Sequence, residues 1–238
     1  MSAADDGADG AVHLPTLDAP SETFSGEPPE LDWLADALDG RARAVLWRAA
    51  PGLVVPLSYR RHATLDAACA ASAADGWPVW LRRSGGGAVP QGPGIVNLSL
   101  VYPVQGTPGD RAEAVYAHLC GVIGRALASF GIDARAAEVK GSFCDGRFNL
   151  AVAGRKIAGT AQYWKRRGER HAVLAHALLL VNADLDGLTE RLNRFESALD
   201  SPRRYDATVL TSLRRESPGA DLGRLPAALA ESLHTTLS

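Results

Sequence analysis

Lysine is nearly absent from this chain. Three lysines, Lys140, Lys156 and Lys165, stand among 25 basic residues. Arginine and lysine do different chemistry, so a lysine kept in an arginine background makes its position informative. Cysteine is equally scarce. Cys69, Cys120 and Cys144 are an odd number without CxxC spacing, which argues against a disulfide framework and against a zinc site. Reduced thiols in a reducing compartment are the expectation. No apolar run approaches the ~18 residues of a membrane-spanning helix. Residues 1–40 hold no Lys or Arg to head a secretory signal, so a cytoplasmic protein with no membrane partner is expected. The histidines His62, His118, His171 and His176 show no HxxxH or HExxH spacing, so they read as structural or surface residues and no metal is expected. GxGxxG and the phosphate-loop pattern GxxxxGK(S/T) are both missing.

What is present is ordinary for a globular chain: 238 residues, 46% hydrophobic and 22% charged, enough for one large domain or two small ones. The net charge of −2 hides an asymmetry. Residues 1–40 carry ten acidic groups, so residues 41–238 carry 25 basic against 27 − 10 = 17 acidic, a balance of +8. Residues 1–30, rich in Ala, Asp, Gly, Pro and Ser, are expected to form a disordered acidic leader.

The apolar spacing from Leu31 to Leu38 suits a short helix. Residues 41–56 read as a strand, a turn at Pro51-Gly52 and a second strand, 64–76 as an Ala-rich helix, and 77–83 as a strand running into three glycines. Residues 94–103 alternate as a strand, and 111–131 form the clearest amphipathic helix. A hairpin follows, 148–154 and 155–167 about Ala153-Gly154. Then come a strand at 170–182 and a helix at 184–197. The tail, 208–238, reads as two short helices about Ser217-Pro218-Gly219. This order predicts an α+β fold with a mixed or antiparallel sheet flanked by helices, the catalytic unit being 31–207.

Two segments could carry chemistry. The first is Arg82-Arg83-Ser84-Gly85-Gly86-Gly87-Ala88-Val89. Three consecutive glycines bring backbone N–H groups close to a ligand. A plain tight turn is the other reading, and the two arginines tilt the choice toward anion or carbonyl binding. The second is 141–162. Cys144 lies in a polar, glycine-flanked turn with Arg147, Arg155 and Lys156 near in sequence. Cations favour the reactive thiolate, although a small space-filling residue is the alternative. Cys69 and Cys120 fall on apolar helix faces and read as filler. Lys156 opens a strand of small residues and could polarise a carbonyl, or be a solvated hairpin lysine. Trp77, Trp80, Tyr163 and Trp164 read as core or pocket lining. Residues 140–170 hold eight basic residues against Asp145 and Glu169. Such a positive stretch would steer an acidic protein toward both candidate residues, with Arg166 and Arg167 helping to dock it. It lacks the basic-aromatic interleaving and motifs of a nucleic-acid binder.

The segments RRSGGGAV (82–89), NLSL (97–100) and GRKIAGTAQ (154–162) resemble the glycine loop and lysine motif of the biotin/lipoate protein ligase A/B superfamily, over roughly 41–200. The segment LWRAAPGLVVP (46–56) is similar to the strand pair lining its pocket. The resemblance implies that Arg82, Ser84, Gly85, Gly86, Gly87, Ala88 and Asn97 shape an acyl site. It also implies that Lys156 touches the acyl carbonyl, with the Gly159-Thr160 backbone assisting. SFCDGRFNL (142–150) resembles the cysteine segment of the amidotransferases that move octanoyl or lipoyl from glycine-cleavage H protein to the E2 subunits of 2-oxoacid dehydrogenases through an acyl-cysteine. That resemblance implies Cys144 as the acyl acceptor, acidic lipoyl carrier domains as partners, and no cofactor. Gln91 stands where the ATP-dependent ligases usually carry His. ATP and Mg would enter only if the chain were such a ligase. A non-catalytic module that binds carrier domains is the remaining alternative.

Overall fold

The computed structural model describes residues 22–24 and 29–234, so the expected leader lies almost wholly outside the described residues. The chain runs β1 (Glu22–Phe24), α1 (Glu30–Leu38), β2 (Arg43–Ala49), β3 (Gly52–Pro56), α2 (Leu65–Ala74), β4 (Val79–Arg82), β5 (Val89–Gln91), β6 (Ile95–Val104), α3 (Pro108–Ala128), β7 (Arg135–Ala137), β8 (Asn149–Val152), β9 (Arg155–Arg167), β10 (Arg170–Leu180), α4 (Leu185–Ala198), α5 (Leu213–Glu216) and α6 (Leu225–His234). One sheet has seven strands in the order β1-β2-β6-β10-β9-β8-β7, and a second has three in the order β4-β3-β5. The expected α+β architecture, a mixed sheet with mainly antiparallel pairing and flanking helices, is what forms.

The period-2 alternation of β6 explains how the layers stack. Val96, Leu98, Leu100, Tyr102 and Val104 join the core beneath α3 and α6, together with Val173, Ala175, Ala177 and Leu179 of β10. The alternate residues point the other way. At the far end of that face, Val101 and Leu174 pack under Trp33, Leu34 and Leu38 of α1. Nearer the small sheet the face carries Asn97, Ser99 and His176, and it lines a cavity rather than bulk water, with Asn97 and Ser99 buried. The three-stranded sheet, α2 and α4 enclose a second core around Leu53, Val55, Tyr59, Leu185, Leu192 and Phe195. Leu213, Leu225, Leu229 and Leu233 of the tail are buried in the first core.

The sequence expectation for 41–56 needs a correction in pairing. Both strands form, but β2 pairs with β6 in the large sheet, whereas β3 pairs with β4 and β5 in the small one. Pro51-Gly52 is a crossing between sheets and not a hairpin turn. A Cβ on Gly52 would stand 2.2 Å from the Trp80 ring, so glycine lets the two sheets part here. Helix α3 begins three residues earlier than its periodicity implies. The Asp110 carboxylate there accepts from the Thr107 hydroxyl (2.7 Å) and N–H (3.4 Å), a capping box that fixes the first turn. No helix among the described residues is long and apolar enough to cross a membrane.

The β8–β9 hairpin turns at Ala153 (φ 48°) and Gly154 (φ 78°), both left-handed as a two-residue type I′ turn requires. Ala153 carries a Cβ in a region that favours Asn or Gly. Ala153→Asn is therefore expected to stabilise the protein by roughly 0.5–1 kcal/mol, read as a higher urea midpoint at unchanged slope.

Candidate active site

A cavity of about 550 Å³ lies between the two sheets. Its apolar wall is made by Leu34, Trp47, Val54, Trp80, Leu81, Val89, Phe143, Tyr163, Leu174 and Leu178. Its polar groups are Glu30, Asp32, Arg60, Arg82, Arg83, Ser84, Gln91, Asn97, Cys144, Lys156, Thr160 and His176. A mostly apolar cleft with a few convergent polar groups is the usual form of a small-ligand site.

Lys156 is fully buried at the start of β9. Its Nζ donates to the Phe143 carbonyl and, at 3.0 Å, to the Cys144 carbonyl. It also lies 4.5 Å from the centroid of the Phe143 ring. Burial pushes its pKa down to about 8, against the opposing pull of Cys144 and Asp145. This lysine is no solvated hairpin residue. Its room comes from Gly159, where a Cβ would meet Lys156 Cε and Nζ at 3.0 Å.

Cys144 sits in the 141–148 loop in the left-handed region, φ 51°. The loop is pinned by Lys156 and by Asn149 Nδ2, which donates to the Cys144 carbonyl at 3.0 Å. The thiol faces the glycine loop. A Cβ on Gly86 (φ 104°) would be 2.4 Å from Cys144 Sγ and 3.2 Å from Arg82 Nη2. The cation beside the sulfur is thus Arg82, contributed from β4. Arg147 instead pairs with Glu113 and Arg155 with Glu216. Arg82 also shapes the loop, donating to the carbonyls of Val54 (2.9 Å), Gly85 (2.9 Å) and Gly87 (2.7 Å). Burial lowers its pKa, and Cys144 is the largest influence opposing that.

Arg82, Ser84, Asn97, Cys144, Lys156, Gly159 and Thr160 all line the cavity. Asn97 is fixed by a reciprocal amide pair with Gln91 (2.9 and 3.0 Å). Gly85, Gly86, Gly87 and Ala88 stand behind the lining. Ala88 is buried, and its N–H donates to Tyr59 Oη at 3.1 Å. That hydroxyl accepts from Arg203 (2.7 Å) and donates to Glu196 (2.6 Å), which Tyr205 also reaches (2.9 Å). Burial raises the pKa of both tyrosines, with Glu196 adding to it. Both therefore remain donors, and this buried network anchors the second half of the loop. Sequence reading missed it, since Tyr59 and Glu196 are 137 positions apart. It also missed His176, which points into the cavity opposite Ser84.

The glycine contacts give a direct test. Gly86→Ala would drive a methyl group into the thiol and strain the backbone, so a fall of more than about tenfold in the rate at which an alkylating reagent modifies Cys144 is expected. Gly85 has open space around its Cβ position and no left-handed φ, so Gly85→Ala should stay within about threefold. Equal losses in the two variants would mean that the glycines act only by flexibility.

The model of the lipoyl protein ligase A/B catalytic domain matches residues 32–233. This chain belongs to that family. An uncharacterized protein of Cupriavidus necator is 53% identical over 83% of this chain and 84% of its own length. An octanoyl-[GcvH]:protein N-octanoyltransferase of Kyrpidia tusciae is 39% identical over 68% of this chain, on the octanoyltransferase side of the family. The match spans 59% of that relative's length. In fold, this family member is similar to a lipoate-protein ligase A crystallised with ATP, with a TM-score of 0.65 at 21% identity over 87% of this chain and 77% of that one.

The structure also corrects the expectation for the 140–170 charges. Arg166 stands ten residues along β9 from Lys156, roughly 33 Å at ~3.3 Å per residue. Arg166 donates to the Gly168 carbonyl, and Arg167 pairs with Asp39. They do not border the cavity. The exposed basic residues that do are Arg60 and Arg83.

Proposed function

We propose that this chain moves an octanoyl or lipoyl group from a carrier protein to a lysine of a lipoyl carrier domain, through a thioester on Cys144 and without ATP. The observation that supports this reading most directly is the meeting of Cys144, Arg82 and buried Lys156 at one side of an apolar cavity of acyl size. The acyl chain lies along the apolar wall. Burying its roughly seven apolar carbons contributes about 6 kcal/mol at ~0.8 kcal/mol each.

In the first half-reaction Cys144 Sγ attacks the amide carbonyl of the acylated donor. A C–S bond forms, the C–N bond breaks, and the donor lysine leaves as an amine carrying the thiol proton. In the second, the acceptor lysine amine attacks the thioester, and the thiol is restored. Splitting one amide exchange in this way replaces a hard step by two easier ones. The Lys156 ammonium stabilises the oxyanion in each. Tested with an apo lipoyl domain, octanoylated H protein should serve as donor, with an octanoyl mass on the enzyme that hydroxylamine removes. Modification by free octanoate or lipoate that requires ATP, with no acyl-enzyme, would make it a ligase. Carrier binding with no modification from any donor would make it a binding module.

Arg60 and Arg83 are the exposed positive groups at the cavity, against one exposed acidic group, Asp32, and acidic carrier domains are the partners their charge suits. Reversing both to Glu is expected to raise the carrier KM about tenfold at low salt and to flatten its salt dependence. The same reversal at Arg166 and Arg167 should leave both within twofold. If only the distal pair matters, docking runs along the β9–β10 hairpin and not at the cavity.

A further inference from the structure

Further along β9 from Lys156, the cavity holds a second set of reactive groups that the transfer chemistry does not use. Ser84 Oγ is 3.2 Å from His176 Nε2, and His176 Nδ1 is 3.4 Å from Glu30 Oε1. Glu30 is held from its far side by the Ser99 hydroxyl, which donates to the same oxygen at 3.1 Å. Ser99 in turn accepts from the Trp47 indole N–H at 3.0 Å. The three residues come from three distant segments, namely the start of α1, the turn after β4 and the middle of β10. His176 pairs across β10 with Ala161, five residues beyond Lys156 on β9. The base therefore stands along β9 from Lys156, while Ser84 lies two residues before Gly86, the glycine that faces Cys144 Sγ.

We infer that Ser84, His176 and Glu30 form a second acyl-transfer centre in this cavity, a serine esterase centre for short- to medium-chain acyl esters and thioesters, working independently of Cys144. The arrangement matches the roles of a nucleophile, a base and a carboxylate that orients the base, and such a constellation is recognised by geometry and not by sequence order. A carboxylate only accepts hydrogen bonds. The neutral ring therefore keeps its proton on Nδ1 toward Glu30 and presents the Nε2 lone pair to Ser84. The 3.2 Å contact is within reach for proton abstraction, and the 3.4 Å contact is of the loose kind that tightens with substrate in place. The amides of Gly85 and Gly86 directly follow Ser84 and donate to no other group among the described residues. Neither glycine lines the cavity itself, so serving a developing oxyanion there requires the loop to turn these amides inward with substrate in place.

The step balances without a cofactor. Ser84 Oγ attacks the acyl carbonyl and its proton passes to His176 Nε2. The bond from carbonyl carbon to the leaving oxygen or sulfur breaks, and the alcohol or thiol departs with that proton. Water then repeats the sequence on the Ser84 ester, releasing the free acid. With the carbonyl at Ser84, the acyl chain would lie against Leu34, Trp47, Tyr163 and Leu174 of the cavity wall, and the inference assigns short chains to that part of it.

The test uses the full chain carrying Cys144→Ala, with p-nitrophenyl butyrate and p-nitrophenyl octanoate as probes. This variant should hydrolyse butyrate faster than octanoate. Adding Ser84→Ala or His176→Gln should lower the rate on the order of 100-fold, and Glu30→Gln about tenfold. A fluorophosphonate should label Ser84 in the Cys144→Ala protein, as located by peptide mass, and His176→Gln should suppress that labelling. Glu30→Gln keeps the size of a partly buried side chain at the start of α1, and thermal denaturation of each variant separates a lost fold from a lost centre. Hydrolysis lost with Cys144 alone, or labelling anywhere but Ser84, would overturn the inference. Neither result bears on whether Cys144 carries acyl groups between carrier proteins.

Discussion

Cys144→Ser is expected to abolish acyl transfer while leaving the fold in place. The substitution exchanges one atom of similar size in a half-buried side chain. Each hydrogen bond that pins this residue is made to its backbone carbonyl, by Lys156 and Asn149, and survives the change. Stability should shift by no more than about 0.5 kcal/mol. The chemistry changes far more. A cysteine thiol is intrinsically very nucleophilic, whereas a serine hydroxyl needs a general base. The groups around position 144 are Arg82 and a mostly protonated Lys156, neither of which is a strong base. A loss of at least ~10³-fold in carrier-to-carrier transfer is expected, equivalent to about 4 kcal/mol of barrier. The hydroxylamine-sensitive mass should vanish with it. Turnover above a tenth of wild type would remove the thioester from the mechanism.

Cys144 and Lys156 were legible because their signal is local. A cysteine with no apolar face, a lysine before a run of small residues and a triple glycine can each be read from a few neighbours. The sheet-forming segments were legible for the same reason, as period-2 runs bounded by turn residues. What sequence could not supply was the partner of each group. Arg147 and Arg155 are near Cys144 in sequence yet are paired elsewhere, while Arg82, 62 positions earlier, lies against the thiol. The alternation of β6 was visible, but not that Asn97, on its polar face, borders a cavity. His176 was read as structural because it lacks a histidine partner at ligand spacing. Its contacts, Glu30 and Ser84, are 146 and 92 residues away. The 140–170 charge count failed for a geometric reason: a 13-residue strand carries its two ends far apart.

Lys156→Met should separate the catalytic from the energetic role of the buried ammonium. In the proposed mechanism the ammonium is the oxyanion donor, so a fall of about 10²–10³-fold in transfer is expected. In the wild type, activity that requires the charged lysine should decline on an alkaline limb near pH 8, because the folded pKa is about 8. Stability follows the same proton with a definite sign. The folded pKa lies below the 10.5 of an unperturbed lysine. Between pH ~8 and ~10.5 the unfolded chain therefore holds a proton that the folded chain has released, and the contribution of Lys156 to stability rises with pH across that window. At neutral pH, below both values, the buried charge costs roughly 3 kcal/mol relative to a buried neutral amine. Methionine removes that cost but leaves the Phe143 carbonyl without its donor, a penalty of about 1–3 kcal/mol. The two nearly offset at pH 7, so the slope is the decisive quantity. Chemical denaturation of both proteins from pH 7.5 to 10.5 should show wild-type stability gaining on Lys156→Met by up to about 3 kcal/mol. Tyrosine titrations are common to the two proteins and cancel in the difference, and making both in a Cys144→Ala background removes the thiol that interacts with Lys156. A constant gap would mean that Lys156 carries an unshifted pKa and that its burial is relieved by water in solution. The alkaline limb of activity would then belong to another group.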